Sequence, residues 1–125
     1  MILNLDLLEG AFAVVRLGPE ESVPAWARGG ALWSITQTPE ELSILCASER
    51  VPTGLRIEGP FRALKVRGPL DMAMTGVLTS IAVPLADADV SIFALSTFDT
   101  DYVLVRETAL DAALKALRFA GHQVL

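Results

Sequence analysis

The alternation of apolar and polar residues predicts short strands separated by turns in the first half of the chain. Strands are expected at residues 11–17, 31–36 and 42–46, and only a short helix fits at residues 20–28. Residues 51–60 contain two prolines and two glycines, which is typical of a linker.

The second half predicts the order strand, helix, strand, strand, helix, strand, which is the ferredoxin-like arrangement. Pro84 falls inside the first helix, where we expect a kink because proline lacks a backbone N–H. Thr108 and Asp111 form a weak capping box for the second helix, and Gly121 suits its end. The expected elements are strands at 61–67, 90–96, 101–105 and 122–125, with helices at 75–88 and from 108 to 121.

An internal repeat extends this arrangement to the first half. Residues 13–19 align with residues 63–69, and both segments end in Gly-Pro. Residues 35–45 align with residues 95–105, which sets Glu41 over Asp101. The predicted fold class is therefore α+β, with two ferredoxin-like β-α-β-β-α-β units packed side by side, the first with short or degenerate helices. The expected units are residues 1–58 and 59–125.

The polar turn that begins at Ser96 joins two predicted strands and brings carboxylate and hydroxyl side chains together at one hairpin tip. Strands 61–67 and 90–96 are expected to be parallel, so the helix start after the first and the turn after the second should share a sheet edge. The candidate site residues are Thr75, Gly76, Val77 and Leu78 at the helix start and Ser96, Thr97, Phe98, Asp99 and Asp101 at the turn.

This edge suits a small zwitterion. Backbone N–H groups at a helix start favour a carboxylate, and Gly76 permits close approach to the backbone. Asp99 or Asp101 can face a cation a few ångströms away, so a free amino acid is the predicted ligand. The alternatives are an ordinary polar turn, close helix packing at Gly76, and a plain N-cap at Thr75.

Composition narrows the possible partners. A net charge of −5 argues against nucleic acid and against anionic membranes. A hydrophobic content of 52% supports a packed core. The longest apolar stretch, residues 72–86, is too short and too interrupted to span a bilayer. The single cysteine fits a reducing compartment, and no signal peptide is apparent, so we expect a cytoplasmic protein.

Catalytic chemistry is sparse. Cys46 lies in a predicted strand and is expected to be a core residue, and His122, the one histidine, should cap or pack at a helix end. One histidine and one cysteine do not make a typical structural zinc site. We therefore predict no catalysis, no metal and no cofactor.

Four segments of the second half carry a resemblance to a known family, namely Gly68–Asp71, Thr75–Leu78, Pro84–Ala86 and Ile92–Val105, and Leu32–Thr36 and Thr38–Ile44 resemble its first copy. They resemble the tandem ACT-domain proteins, which include small bacterial ACT proteins, cytosolic arginine sensors of animals and the regulatory tail of aspartate kinases. The resemblance implies paired ACT units, amino-acid binding at unit interfaces and dimerisation. Met74 stands where the arginine sensors carry an acidic residue, so a guanidinium would lose one partner.

The predicted function is a non-enzymatic, homodimeric regulatory module that binds a free amino acid and controls a protein partner. The alternative from another class is a ligand-free dimerisation or protein-interaction module. A third possibility is an enzyme of unknown chemistry. By the resemblance, the ligand-loop residues are Thr75, Gly76, Val77, Ser96, Thr97, Phe98 and Asp101, and Met74 joins the candidate ligand-binding set.

Overall fold

A computed structural model of the chain describes residues 1–71 and 73–125, so Met72, where the longest apolar stretch begins, lies outside the described residues. The chain forms two compact units, one of residues 9–61 and one of residues 1–8 with 62–125. The predicted division kept residues 1–8 in the N-terminal unit. Strand β1 (Asn4–Leu7) joins the other unit because it pairs antiparallel with residues 64–66.

The unit of residues 9–61 is an antiparallel sheet. It contains β2 (Phe12–Leu17), β3 (Ser34–Gln37), β4 (Leu42–Ala47) and the first part of β5 (Arg56–Val66), in the order β3-β4-β2-β5. The predicted helix at 20–28 is reduced to a 3₁₀ turn, Ala25–Ala27. Its core includes Cys46, which is fully buried as predicted.

Part of the predicted linker, residues 51–60, is strand. Residues 56–58 pair with β2, Ile57 lying opposite Val15. The glycines and prolines suggested a break, but strand pairing satisfies the backbone groups and overrides that local signal.

The second unit contains α1 (Val77–Asp87), β6 (Ile92–Ser96), β7 (Asp101–Arg106), α2 (Leu110–Phe119) and β8 (Gln123–Val124). Its strands follow the order β6-β7-β5-β1-β8, with β8 parallel to β1. The predicted strand-helix order is confirmed, and the fold is α+β and ferredoxin-like. Strand β1 is an addition to this order, although alternating Leu3, Leu5 and Leu7 are the period-2 signal of a strand.

The core of this unit lies between the two helices and the sheet. Val77, Ile81 and Leu85 of α1 are buried together with Ala113 and Leu117 of α2. Their spacing of three and four residues gives each helix one apolar face. The sheet contributes buried residues from three strands, namely Leu5, Leu64, Val66, Val103 and Val105.

The end of α2 follows the sequence prediction and its start does not. The N–H of Gly121 donates to the Arg118 carbonyl at 3.0 Å, and the N–H of His122 donates to the Leu117 carbonyl at 3.1 Å. These bonds, with φ of +99° at Gly121, form a Schellman-like end. The predicted Thr108 cap is wrong, because Ala109 is the N-cap and a 3₁₀ turn, Glu107–Ala109, leads into the helix.

A proline and a histidine together anchor α1. The helix continues through Pro84, which has no N–H to donate to the carbonyl four residues earlier, that of Ser80. His122 Nε2 lies 2.7 Å from this oxygen, and Nδ1 accepts the Leu3 N–H at 3.1 Å. The ring is therefore neutral, with its proton on Nε2, and is only 4% exposed. His122 packs and caps, as its position predicted.

In the described part of the chain, no helix is both long enough and apolar enough to cross a membrane.

We expect His122→Leu to lower the free energy of unfolding by about 2–4 kcal/mol, because it leaves two buried backbone groups unpaired. In a Pro84→Ala background, the backbone N–H that the substitution introduces can serve the Ser80 carbonyl, so the loss should shrink by about 1 kcal/mol. Urea unfolding of the original protein, His122→Leu, Pro84→Ala and the double variant measures this coupling. Equal losses of unfolding free energy in both backgrounds would contradict it. Gln123→Leu, at an exposed neighbouring residue, controls for the change from a polar to an apolar side chain.

A surface ion pair predicts a pH dependence. The Arg67 guanidinium donates to the Asp6 carboxylate and holds the pKa of that carboxyl below its usual value. The ionised form is favoured in the folded state, so its contribution is present near neutral pH and is lost as acidification protonates Asp6. Asp6→Asn should lower the urea midpoint slightly at pH 7 and leave it unchanged at about pH 2. An equal loss at both pH values would show that the charge is not responsible.

Candidate functional site

A cleft of about 300 Å³ lies between the start of α1 and the turn that joins β6 to β7. It belongs entirely to the unit of residues 1–8 and 62–125. Its lining residues are Leu70, Asp71, Met74, Gly76, Val77, Leu78, Thr79, Ser96, Thr97, Phe98, Asp99, Thr100 and Asp101.

Nine of the ten predicted site residues line this cleft, and the tenth, Thr75, does not. The expected juxtaposition of helix start and hairpin turn is therefore present. That these residues bind a ligand stays a prediction. Leu70, Asp71, Thr79 and Thr100 were not among the predicted site residues. Thr79 could have been found, since it follows Leu78 in the same first helical turn.

Gly76, rather than Thr75, is the N-cap of α1. Its φ of +81° lies in the left-handed region, which favours glycine, and a Cβ built there meets nothing within 4 Å. The first helical hydrogen bond runs from the Ser80 N–H to the Gly76 carbonyl at 2.9 Å. The N–H groups of residues 77–79 precede it, so they have no acceptor within the helix and carry its positive end.

Two hydrogen bonds connect the hairpin turn to the segment that leads into α1. The Thr100 hydroxyl donates to the Val66 carbonyl at 2.6 Å, and Thr100 is only 5% exposed. The Leu70 N–H donates to the Asp99 carbonyl at 2.7 Å. Val66 is the last residue of β5, and the chain continues from β5 into α1. These bonds therefore attach both walls of the cleft, the hairpin turn and the helix start, to the same end of β5.

Each wall also has its own turn. In the hairpin, the Thr97 N–H donates to the Thr100 carbonyl at 2.8 Å, and the Ser96 hydroxyl donates to the Asp101 carboxylate. In the loop before α1, the Asp71 carboxylate accepts the Ala73 N–H at 2.9 Å. Both turns use short polar side chains that bond nearby backbone.

The charges of the cleft are one-sided. Three lining residues are acidic, Asp71, Asp99 and Asp101, and no lysine, arginine or histidine is among the described residues that line it. A bound carboxylate would therefore meet backbone N–H groups at the start of α1, whereas a bound cation would meet carboxylates. Phe98 is 81% exposed beside them and offers an apolar surface.

The hairpin of the other unit forms the same turn, but its acidic residue Glu41 does not occupy the position of Asp101. The Thr38 N–H donates to the Glu41 carbonyl at 2.9 Å, and Gln37 pairs with Leu42 as Ser96 pairs with Asp101. Glu41 is thus the counterpart of Thr100. The predicted match of Glu41 with Asp101 is wrong by one residue, which in a strand moves a side chain to the opposite face.

Reactive groups elsewhere in the chain are few. Cys46 is fully buried, and burial raises the pKa of its thiol, which disfavours the nucleophilic thiolate. Among the described residues, no three His, Cys, Asp or Glu side chains are grouped as metal ligands.

Comparison with known proteins finds matching family models and relatives of similar sequence. Residues 56–118 match the family model of the ACT domain, and residues 10–54 match a second model, described as an N-terminal domain. A bovine protein named cytosolic arginine sensor for mTORC1 subunit 1 is 32% identical over 68% of this chain. The chain spans 29% of the length of that relative.

Solved structures share the fold. A crystal structure of an Agrobacterium tumefaciens protein is 39% identical, with a TM-score of 0.94 over 100% of this chain and 93% of the other. The regulatory subunit of aspartate kinase from Thermus flavus is 12% identical, with a TM-score of 0.66 over 95% of this chain and 97% of the other. At that identity the second likeness concerns the fold alone.

The ACT-domain model covers half of the chain, and its matched residues include β5, α1, the β6–β7 hairpin and most of α2; this chain belongs to the ACT-domain family.

Proposed function

We propose that this chain is a cytoplasmic regulatory module that binds a free amino acid without catalysis. The observation that carries the proposal is the cleft at the start of α1, where backbone N–H donors lie on one side and carboxylates on the other. The name of one sequence relative, a cytosolic arginine sensor, agrees with a role in amino-acid-dependent regulation.

The cleft suits the two charges of an amino acid. The ligand carboxylate would accept hydrogen bonds from the N–H groups of Val77–Thr79, as anions do at helix N-termini. The ammonium group would face Asp99 or Asp101. A volume of about 300 Å³ is at the lower end for ligand pockets, which favours a small molecule. An acidic side chain on the ligand would be repelled by the three lining carboxylates.

Regulation would follow because ligand binding and the arrangement of the ACT units are thermodynamically linked. A ligand that prefers one arrangement of ACT units stabilises it, and a protein partner that distinguishes the arrangements then responds. In our proposal the ligand lies at an interface between ACT units of a homodimer, as the family resemblance implies. The exposed Phe98 supports this part of the proposal, because an apolar surface at the mouth of the cleft favours cover by a further unit.

Binding can be tested by thermal unfolding of the purified chain with each of the twenty amino acids. A true ligand at about 100 times its Kd should add about 2.7 kcal/mol to the free energy of unfolding. We expect a shift with at least one neutral or basic amino acid and none with aspartate or glutamate. No shift with any of the twenty would favour the alternative, a ligand-free interaction module.

Charge removal tests where the ligand binds. Asp99→Asn or Asp101→Asn should weaken the identified amino acid at least about tenfold in calorimetric titration, since each removes a carboxylate from a partly desolvated cation. Glu40→Gln is the matched control, because Glu40 is an exposed acid at the tip of the other hairpin. If all three variants bind like the original protein, the ligand site lies elsewhere.

Thr100 should position the hairpin rather than touch the ligand through its hydroxyl, which is engaged by Val66. Thr100→Val should cost about 1–3 kcal/mol by leaving the buried Val66 carbonyl unpaired, and should also weaken ligand binding. Thr100→Ser retains the hydroxyl and should restore affinity even if some stability is lost. Affinity that stays unchanged in Thr100→Val would show that the hairpin is held by other contacts.

A further inference from the structure

The cleft at the start of α1 has an apolar lining in addition to its carboxylates. Leu70, Met74, Leu78 and Phe98 line it with large apolar side chains. Leu70 is half-buried and packs against the core of the unit, whereas Leu78 is 38%, Met74 44% and Phe98 81% exposed. Single exposed apolar side chains are ordinary on a protein surface, but several gathered at one concave site indicate that something apolar binds there.

Two of these side chains belong to the segment that forms the helix start. The Met74 N–H donates to the Asp71 carbonyl at 2.9 Å, which closes a turn just before Gly76. Leu78 lies in the first turn of α1, among the residues whose N–H groups have no acceptor within the helix. A ligand carboxylate bound to these N–H groups therefore lies on the same wall of the cleft as Met74 and Leu78.

The carboxylates of the cleft are not equally available to a ligand. The Asp71 carboxylate accepts the Ala73 N–H at 2.9 Å, and the Asp101 carboxylate accepts the Ser96 hydroxyl. In the described part of the chain, the Asp99 carboxylate accepts no hydrogen bond and forms no ion pair, so it is the acid most available to the ligand ammonium. A second cation, on the ligand side chain, would have to leave water beside apolar groups without a carboxylate of its own, which is costly.

We propose that the cleft selects an amino acid with an aliphatic side chain, and that Met74 and Leu78 determine this selection. The inference rests on the proposed function, because it concerns the side chain of the ligand bound there. An aliphatic side chain buries apolar surface against Met74 and Leu78, and each methylene group removed from water strengthens binding. Glycine and alanine are too short to gain this contact, and lysine and arginine would bring a charge to it.

Calorimetric titration of the full chain with leucine, isoleucine, methionine, alanine, lysine and arginine tests the selection. We expect at least one of the first three to bind about tenfold or more tightly than alanine, because its longer side chain removes more apolar surface from water. Lysine and arginine should bind more weakly than that amino acid.

Truncation of the apolar lining tests which residues select the side chain. Met74→Ala and Leu78→Ala should each lower the affinity for the preferred aliphatic amino acid about fivefold, and should leave the affinity for alanine nearly unchanged. Met74→Leu, which conserves an apolar side chain of similar volume, should retain the preference. Val83→Ala is the matched control, because it truncates an exposed apolar side chain of α1 that does not line the cleft.

The outcomes separate this inference from the proposed function. If no amino acid binds, the proposed function fails and the inference fails with it. If a basic or polar amino acid binds more tightly than the aliphatic ones, the inference is overturned while amino-acid binding stands. The same holds if Met74→Ala and Leu78→Ala weaken alanine and the aliphatic amino acid equally, since these residues would then support the cleft without selecting the side chain, or if neither variant changes any affinity.

Discussion

The position of helix α1 depends on one carbonyl group, that of Ser80. Pro84 removes the donor that this oxygen would have within the helix, and a buried histidine from the far end of α2 replaces it. The same imidazole accepts the N–H of Leu3 beside β1, so one neutral ring joins a helix, a helix end and a strand. A buried polar group without a partner costs about 1–3 kcal/mol, so α1 cannot shift without losing that energy.

Two hollows of this unit follow from this placement. The N-terminus of α1 supplies the backbone donors of the cleft, and its C-terminal half, with Val83, Pro84 and Asp87, lines one wall of a groove between α1 and α2. The hairpin is held by separate bonds, from Thr100 to Val66 and from Leu70 to Asp99. The unit thus presents a polar cleft at one end of α1 and an apolar groove at the other.

The sequence predicted the edge at which the cleft forms because that inference needs only element order and handedness. A strand, a crossover helix and a parallel strand bring a helix start beside a hairpin turn whatever the details of packing. It also predicted the end of α2, since Gly121 and its neighbours interact within one helical turn. It missed Thr100 as a lining residue, because the path of the hairpin depends on a bond to Val66, 34 residues away.

The sequence by itself determined the α+β order, the ferredoxin-like arrangement of the second unit and the polar residues at one sheet edge. These properties arise from local periodicity and from short-range turn chemistry. Only the tertiary structure decided that β1 joins the C-terminal unit, that Gly76 caps α1, that Glu41 corresponds to Thr100, and that His122 serves a carbonyl freed by proline. The places of β1 and His122 depend on backbone groups far away in the sequence that need partners. The roles of Gly76 and Glu41 depend on the residue at which a helix or a turn begins, which the sequence pattern leaves uncertain by a residue or two.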